Sequence, residues 1–209
     1  MNRGALRLPL ASEVSASAPS AGVHLGIGQA GPVTLRLFRQ VPTRIAVIGA
    51  LQVAQLLAIR AAAGGTAVLV LTGRANLWSA AVAHGPSSRV SPHGPDALQL
   101  AGTPGVIVDD RPEAARGLGE AGEFQCRLEL RTPATPQDLA GLAQADAVLL
   151  GRVGAELAAA VPGVFGVAPA HPAHLTSLAD GAVAVLRRGA LDYVTLDPTA
   201  AEASLLRAG

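Results

Sequence analysis

The stretch "IAVIGALQVAQ", residues 45–55, decides the fold. A continuous apolar run ends at Gly49, and strong helix formers follow at once. Strand, glycine turn and helix in that order form the local plan of a dinucleotide-binding site. With Gly49 as the first glycine of that fingerprint, Leu51 falls at the second position and Ala54 at the third. Alanine is tolerable at the third. Leucine at the second is not, because the second glycine exists to let a pyrophosphate approach the backbone at the helix N-terminus. The next buried run closes with "LTGR" and lacks the acidic residue that would hold a ribose. Its Thr72 and Arg74 stand on the same rim, and Arg74 is the group that would meet a 2′-phosphate. The turn therefore reads as an α/β scaffold whose phosphate place is filled by a side chain.

Working outward, the helix from Ala50 ends at Gly64 and Gly65, and its small residues Ala50, Ala54, Ala58 and Ala61 recur at helical spacing. That spacing lets a helix lie close to a sheet. Residues 66–74 form a second buried strand, which completes a βαβ unit. Further apolar runs predict strands at 105–110, 124–131 and 146–153. Residues 33–39 alternate and predict a half-exposed strand. Helices are predicted at 76–84, after Thr135 and over 154–163. Thr135 suits an N-cap, Pro136 the first turn and Asp138 the third position. Two alternating runs in 181–196 flank Arg188 and Gly189 and predict a β-hairpin, with a last helical turn in 199–206. The fold class is α/β, Rossmann-like, with a largely parallel sheet flanked by helices and a C-terminal β-hairpin. Residues 1–32, small, polar and rich in glycine and proline, read as a loosely ordered arm, with short strands near "GVHLGIG". Residues 33–209 read as a single domain.

Composition narrows the chemistry. All 16 basic residues are arginine, which excludes a Walker lysine, a Schiff-base lysine and a kinase-type lysine. Charged residues make up 15% of the chain, well below the usual share of about 25%. Few charges remain to solvate the surface, which argues that a partner covers part of it. The arginines are scattered and aromatics are only 2%, so neither a basic stripe nor a stacking platform for nucleic acid is present. The single cysteine, Cys126, lies in an alternating run and reads as a buried, reduced thiol.

No signal peptide is legible at the N-terminus. The longest apolar run, 45–59, is interrupted by Gln52 and Gln55 and stops at Arg60, short of the roughly 20 residues a membrane span needs. A cytoplasmic protein is expected, touching a membrane only indirectly.

Each catalytic candidate meets a specific objection. "GVIVDD" places Asp109 and Asp110 at a strand end, where paired carboxylates could hold a divalent cation. No Walker A loop accompanies them, and adjacent acids before "RP" also cap turns. His171 and His174 form an H-x-x-H pair, but Pro172 interrupts it and no third ligand is evident. His24, His84 and His93 sit in turn-like segments, and Asp192 and Asp197 have no spacing that pairs them. No catalytic residue, cofactor or metal is expected. The alternative is a nucleotide- or nucleotide-sugar-dependent enzyme using the rim formed by Gly49, Thr72, Arg74, Asp109 and Asp110.

Four segments taken in order resemble the cytosolic domain of EccE, a component of the actinobacterial type VII (ESX) secretion machinery. They are "VTLRLFRQVPTRIAVIGALQVAQLLAIRAAAGGTAVLVLTGRANLW", "GVIVDD", "CRLELRTPATPQDLAGLAQADAVLL" and "AVAVLRRGALDYVTLDPTAAEASLL". The resemblance implies a structural subunit at the periphery of the inner-membrane complex, beside EccB, EccC and EccD, with no established activity. EccE chains usually carry two N-terminal transmembrane helices, and this sequence has none, so a soluble relative or a cytosolic fragment is expected.

Overall fold

A computed structural model describes residues 22–83, 85, 87–92, 104–112, 121–133, 135–169 and 171–208. Its frame is one mixed sheet. The six mutually parallel strands are β3 (Thr43–Ile48), β4 (Ala67–Thr72), β5 (Arg89–Ser91), β6 (Gly105–Asp110), β7 (Gln125–Arg131) and β8 (Ala147–Leu150). The other four are β1 (Val23–Gly28), β2 (Gly31–Leu35), β9 (Ala182–Arg187) and β10 (Ala190–Thr195), joined by antiparallel pairings beyond β8. The order across the sheet is β2-β1-β10-β9-β8-β3-β7-β6-β4-β5. The strands that read as unbroken apolar runs are those covered on both faces. Every residue of β6 and β8 is buried.

The helices are α1 (Leu51–Ala63), α2 (Ser79–Val82), α3 (Pro136–Ala140), α4 (Ala155–Phe165) and α5 (Ala200–Ala208). Alternation along β3 sorts them into two layers. Ile45 and Val47 belong to the core under α1, α2 and α5, while Ala46 and Ile48 belong to the core under α3, α4 and the 3-10 segment His171–Ser177. The first helix has little polar face. Its Val53, Ala54, Leu56, Leu57, Ala58, Ala61 and Ala62 are all buried, because the sheet lies below it and β1, α2 and α5 flank it. Burying a leucine such as Leu56 or Leu57 contributes about 2 kcal/mol. At its end, Gly65 takes φ +78. The Thr66 N–H reaches back to the Ala61 carbonyl and the Gly65 N–H to Ala62, each at 3.0 Å. This double closure favours glycine at the left-handed position.

Several sequence expectations shift. The strand expected over 33–39 stops at Leu35. The helix expected over 76–84 is a 3-10 turn, Ala75–Leu77, followed by the four-residue α2. The helix expected to end near Gly163 runs through Pro162 to Phe165 and is closed by Gly166 at φ +67. Proline there removes one internal hydrogen bond, and the fully buried Val161 beside it anchors the turn. The arm expected over 1–32 is, from Val23 onward, part of the sheet, with β1 paired to both β2 and β10. Residues 1–21 lie outside the described residues. β9 and β10 pair antiparallel across Arg188 and Gly189, with Ala190 opposite Arg187. Thr135 caps α3 reciprocally with Asp138 and Pro136 opens the helix, as its sequence predicts. No helix among the described residues is long and apolar enough to cross a membrane.

Candidate functional site

The parallel strands β3, β4, β6 and β7 end at one rim, and a cavity of about 720 Å³ opens there. Val47 and Leu130 form its apolar base. Gly49, Ala50 and Leu51 form one wall, and Gly73, Arg74, Asp110, Arg111 and Arg131 face them. This is where open α/β sheets take ligands. Gly49 holds φ +63, as the sharp exit from β3 into α1 requires. Leu51 is the first residue of α1; it is half-buried against the core and lines the cavity. The N-terminus of α1 has no side-chain cap, since Ala50 stands at the cap position.

Asp109 and Asp110, neighbours on β6, serve opposite faces of the sheet. Asp110 faces the α1 side. Its Oδ2 accepts from Thr72 Oγ1 and from the Trp78 indole Nε1, both at 2.8 Å. Arg74 closes the arrangement, donating from Nε at 3.3 Å and pairing through Nη2 with Oδ1. The Arg74 backbone N–H also donates to Thr72 Oγ1 at 2.9 Å. A buried indole N–H needs an acceptor, and this carboxylate supplies one for Trp78, whose side chain is completely buried.

Asp109 faces the α3–α4 side, where it receives Nε and Nη2 of Arg111 at 2.9 Å each and a further bond from Arg127. Next along that face is Glu129 on β7. It receives Arg44 from β3 at 2.8 and 2.9 Å, and Arg131 at 3.1 and 2.7 Å. The result is a charged band across β3, β7 and β6. Burial pushes the Asp109 and Glu129 carboxyls up, but the hydrogen bonds and charges of their arginines outweigh it, and both titrate below the ordinary range. The hydrogen bond to Asp109 raises the Arg111 guanidinium in turn, against the opposing effect of burial.

The cation-site reading of the paired aspartates therefore meets a geometric obstacle. The two carboxylates diverge, and each is engaged by guanidinium groups. No cluster of three or more metal-ligating side chains occurs among the described residues. Of the rim residues named from the sequence, Gly49, Arg74 and Asp110 line the cavity, Thr72 supports Asp110 from behind, and Asp109 lies on the other face.

His174 sits on the 3-10 segment His171–Ser177 and packs edge-on against Tyr193, with ring centroids 5.8 Å apart. The His171 side chain, and all of His84 and His93, lie outside the described residues. Cys126 is fully buried, and burial pushes its thiol up, far from the range of reactive cysteines. Asp197 acquires partners that sequence spacing does not reveal. His24 Nε2 stands 2.8 Å from it, and Arg60 of α1 joins it to Glu202 of α5. Trp78, like Glu129 and the arginines around it, is a residue the sequence reading did not single out. The available signal was a lone tryptophan within reach, in chain order, of a strand ending in acids.

Compared with known proteins, the chain matches no protein-family model, and no curated relative is found.

Proposed function

We propose that this chain is a non-catalytic interaction subunit of a type VII protein secretion machine, EccE-like in kind, built on a Rossmann-like frame with a C-terminal β-hairpin. One observation carries the reading: Leu51, at the second position of the glycine fingerprint, opens α1 and lines the cavity beside the Gly49 turn. The low share of charged residues supports a surface covered by partners. Those partners are other subunits of the secretion complex, and the domain sits on the cytoplasmic side of the membrane. The test is affinity capture of the tagged full chain from gently solubilised native membranes. Recovery of the secretion ATPase and its neighbouring subunits is the expected result. Capture of none of them would remove the reading.

A nucleotide- or nucleotide-sugar-dependent transferase is the second reading, favoured by the position of the 720 Å³ cavity at the strand ends. A ligand at 100 times its Kd adds about 2.7 kcal/mol of stability. A thermal-shift screen with NAD(P), ATP, nucleoside diphosphate sugars and S-adenosylmethionine checks it, and a flat response to all of them discards it.

A further inference from the structure

We propose that the rim cavity binds a phosphate-bearing small molecule, with Arg74 engaging the phosphate and Asp110 aiming Arg74. The inference shares its cavity with the transferase reading above but requires no catalysis and no nucleoside.

Arg74 and Asp110 contrast in burial. The Arg74 side chain is 55% exposed, whereas that of Asp110 is 4% exposed. Long exposed side chains ordinarily sample many rotamers, and fixing one costs entropy. Here the cost is met before any ligand arrives. Asp110 is immobilised from below by Thr72 and Trp78, and it holds Arg74 at two donors along one edge of the guanidinium. A guanidinium carries five N–H donors. The remaining three are directed away from the carboxylate. Preorganisation of this kind lowers the cost of binding, and the planar fork of arginine matches phosphate oxygens.

The rest of the cavity agrees in chemistry and size. Arg111 and Arg131 also line the cavity, while their guanidinium groups bond Asp109 and Glu129 on the opposite face of the sheet. Asp110 is the one acidic residue in the lining among the described residues, and its oxygens are occupied from three sides. A volume of about 720 Å³ suits a small organic molecule. A Cβ on Gly73 would meet nothing within 4 Å, so the approach beside Arg74 is open. Leu51 opens α1 and lines the cavity on the Gly49 side. The anion is therefore anchored from the β4–β6 side of the cavity, by side chains and not by the glycine turn.

The test is isothermal calorimetry of the full chain with inorganic pyrophosphate at low ionic strength. Three proteins are compared: the unaltered chain, Arg74→Gln, and Arg188→Gln as a control at an exposed arginine in the β9–β10 turn. The unaltered chain and the control bind alike, and Arg74→Gln binds about tenfold more weakly or worse. Unchanged Trp78 emission in Arg74→Gln shows that its fold is intact. No binding by the unaltered chain overturns the proposal, as does equal binding by Arg74→Gln or equal weakening by the control. If pyrophosphate binds while no nucleotide does, the transferase reading falls and this one stands.

Discussion

Gly151 backs directly onto Gly49. Its N–H donates to the Ile48 carbonyl at 2.7 Å, and a Cβ built on it would stand 2.3 Å from the Gly49 carbonyl oxygen. The turns leaving β3 and β8 are thus in backbone contact. These are the adjacent strands whose outgoing helices, α1 and α4, lie on opposite faces of the sheet. A crevice commonly opens at such a point. Here the two turns touch, a cavity of about 290 Å³ lies beside them, and one of about 720 Å³ lies on the other side of Gly49, above β7, β6 and β4.

Gly151→Ala should therefore be costly although it adds one methyl group. The obstructing atom is backbone, so either β8 or the Gly49 turn must move. We expect a loss of about 2 kcal/mol, read as a lower midpoint in urea. Gly154→Ala is the control, since a Cβ there meets nothing within 4 Å. Equal stability of the two variants would contradict the contact.

Asp110→Ala leaves the Trp78 indole N–H and the Thr72 hydroxyl without their acceptor and releases Arg74. The expected cost is about 2–4 kcal/mol. Trp78 is the only tryptophan in the chain, so its emission reports this site alone. A red shift in the folded variant, with water reaching the indole, is the expected signature.

Stability should fall on the acid side. The folded-state values of Asp109 and Glu129 lie below their unfolded ones. Their contribution is complete above the ordinary carboxylate range, about pH 4, and is lost as pH drops through the lowered folded values. Denaturation followed from neutral to acid pH should show this loss. Glu129→Gln should flatten the profile while lowering stability at neutral pH, because Arg44 and Arg131 lose their charged partner.

Cys126 should be silent to thiol reagents in the native state. It is fully buried, and its thiol is held protonated by burial. Labelling should track opening of the β3–β7–β6 core and should accelerate in denaturant in step with loss of Trp78 signal. Rapid labelling in buffer would place this strand on the surface.

Arg60 ties the end of the chain to α1. It donates from Nε to Glu202 at 2.8 Å and from Nη1 to the His24 carbonyl at 2.9 Å. Arg60→Ala should detach α5 before the rest of the fold opens, with faster amide exchange over 200–208. A double-mutant cycle with Glu202→Ala should give a coupling of about 1 kcal/mol.

Much of the frame was legible because it is written in local terms. The unbroken apolar runs, the glycine pair after α1 and the reciprocal cap at Thr135 each depend on residues within one turn or one strand. The lone glycine before α1 also marked the exit from β3, where Leu51 opens the helix beside the cavity. Element boundaries were less legible where proline entered a helix with a well-buried neighbour, as at Pro162 and Val161.

The amino-acid sequence by itself determined an α/β chain with a strand, glycine turn and helix at 45–55 and no lysine chemistry. Tertiary structure alone decided which groups meet: Asp110 with Trp78, 32 positions apart; Arg60 with Glu202, 142 apart; Gly49 with Gly151. It also decided that Asp109 and Asp110 serve different faces and different arginines. The physical reason is that strand order is set by long-range packing of two helical layers on one sheet. A charged residue's partner depends on that order, and local pattern carries no record of it.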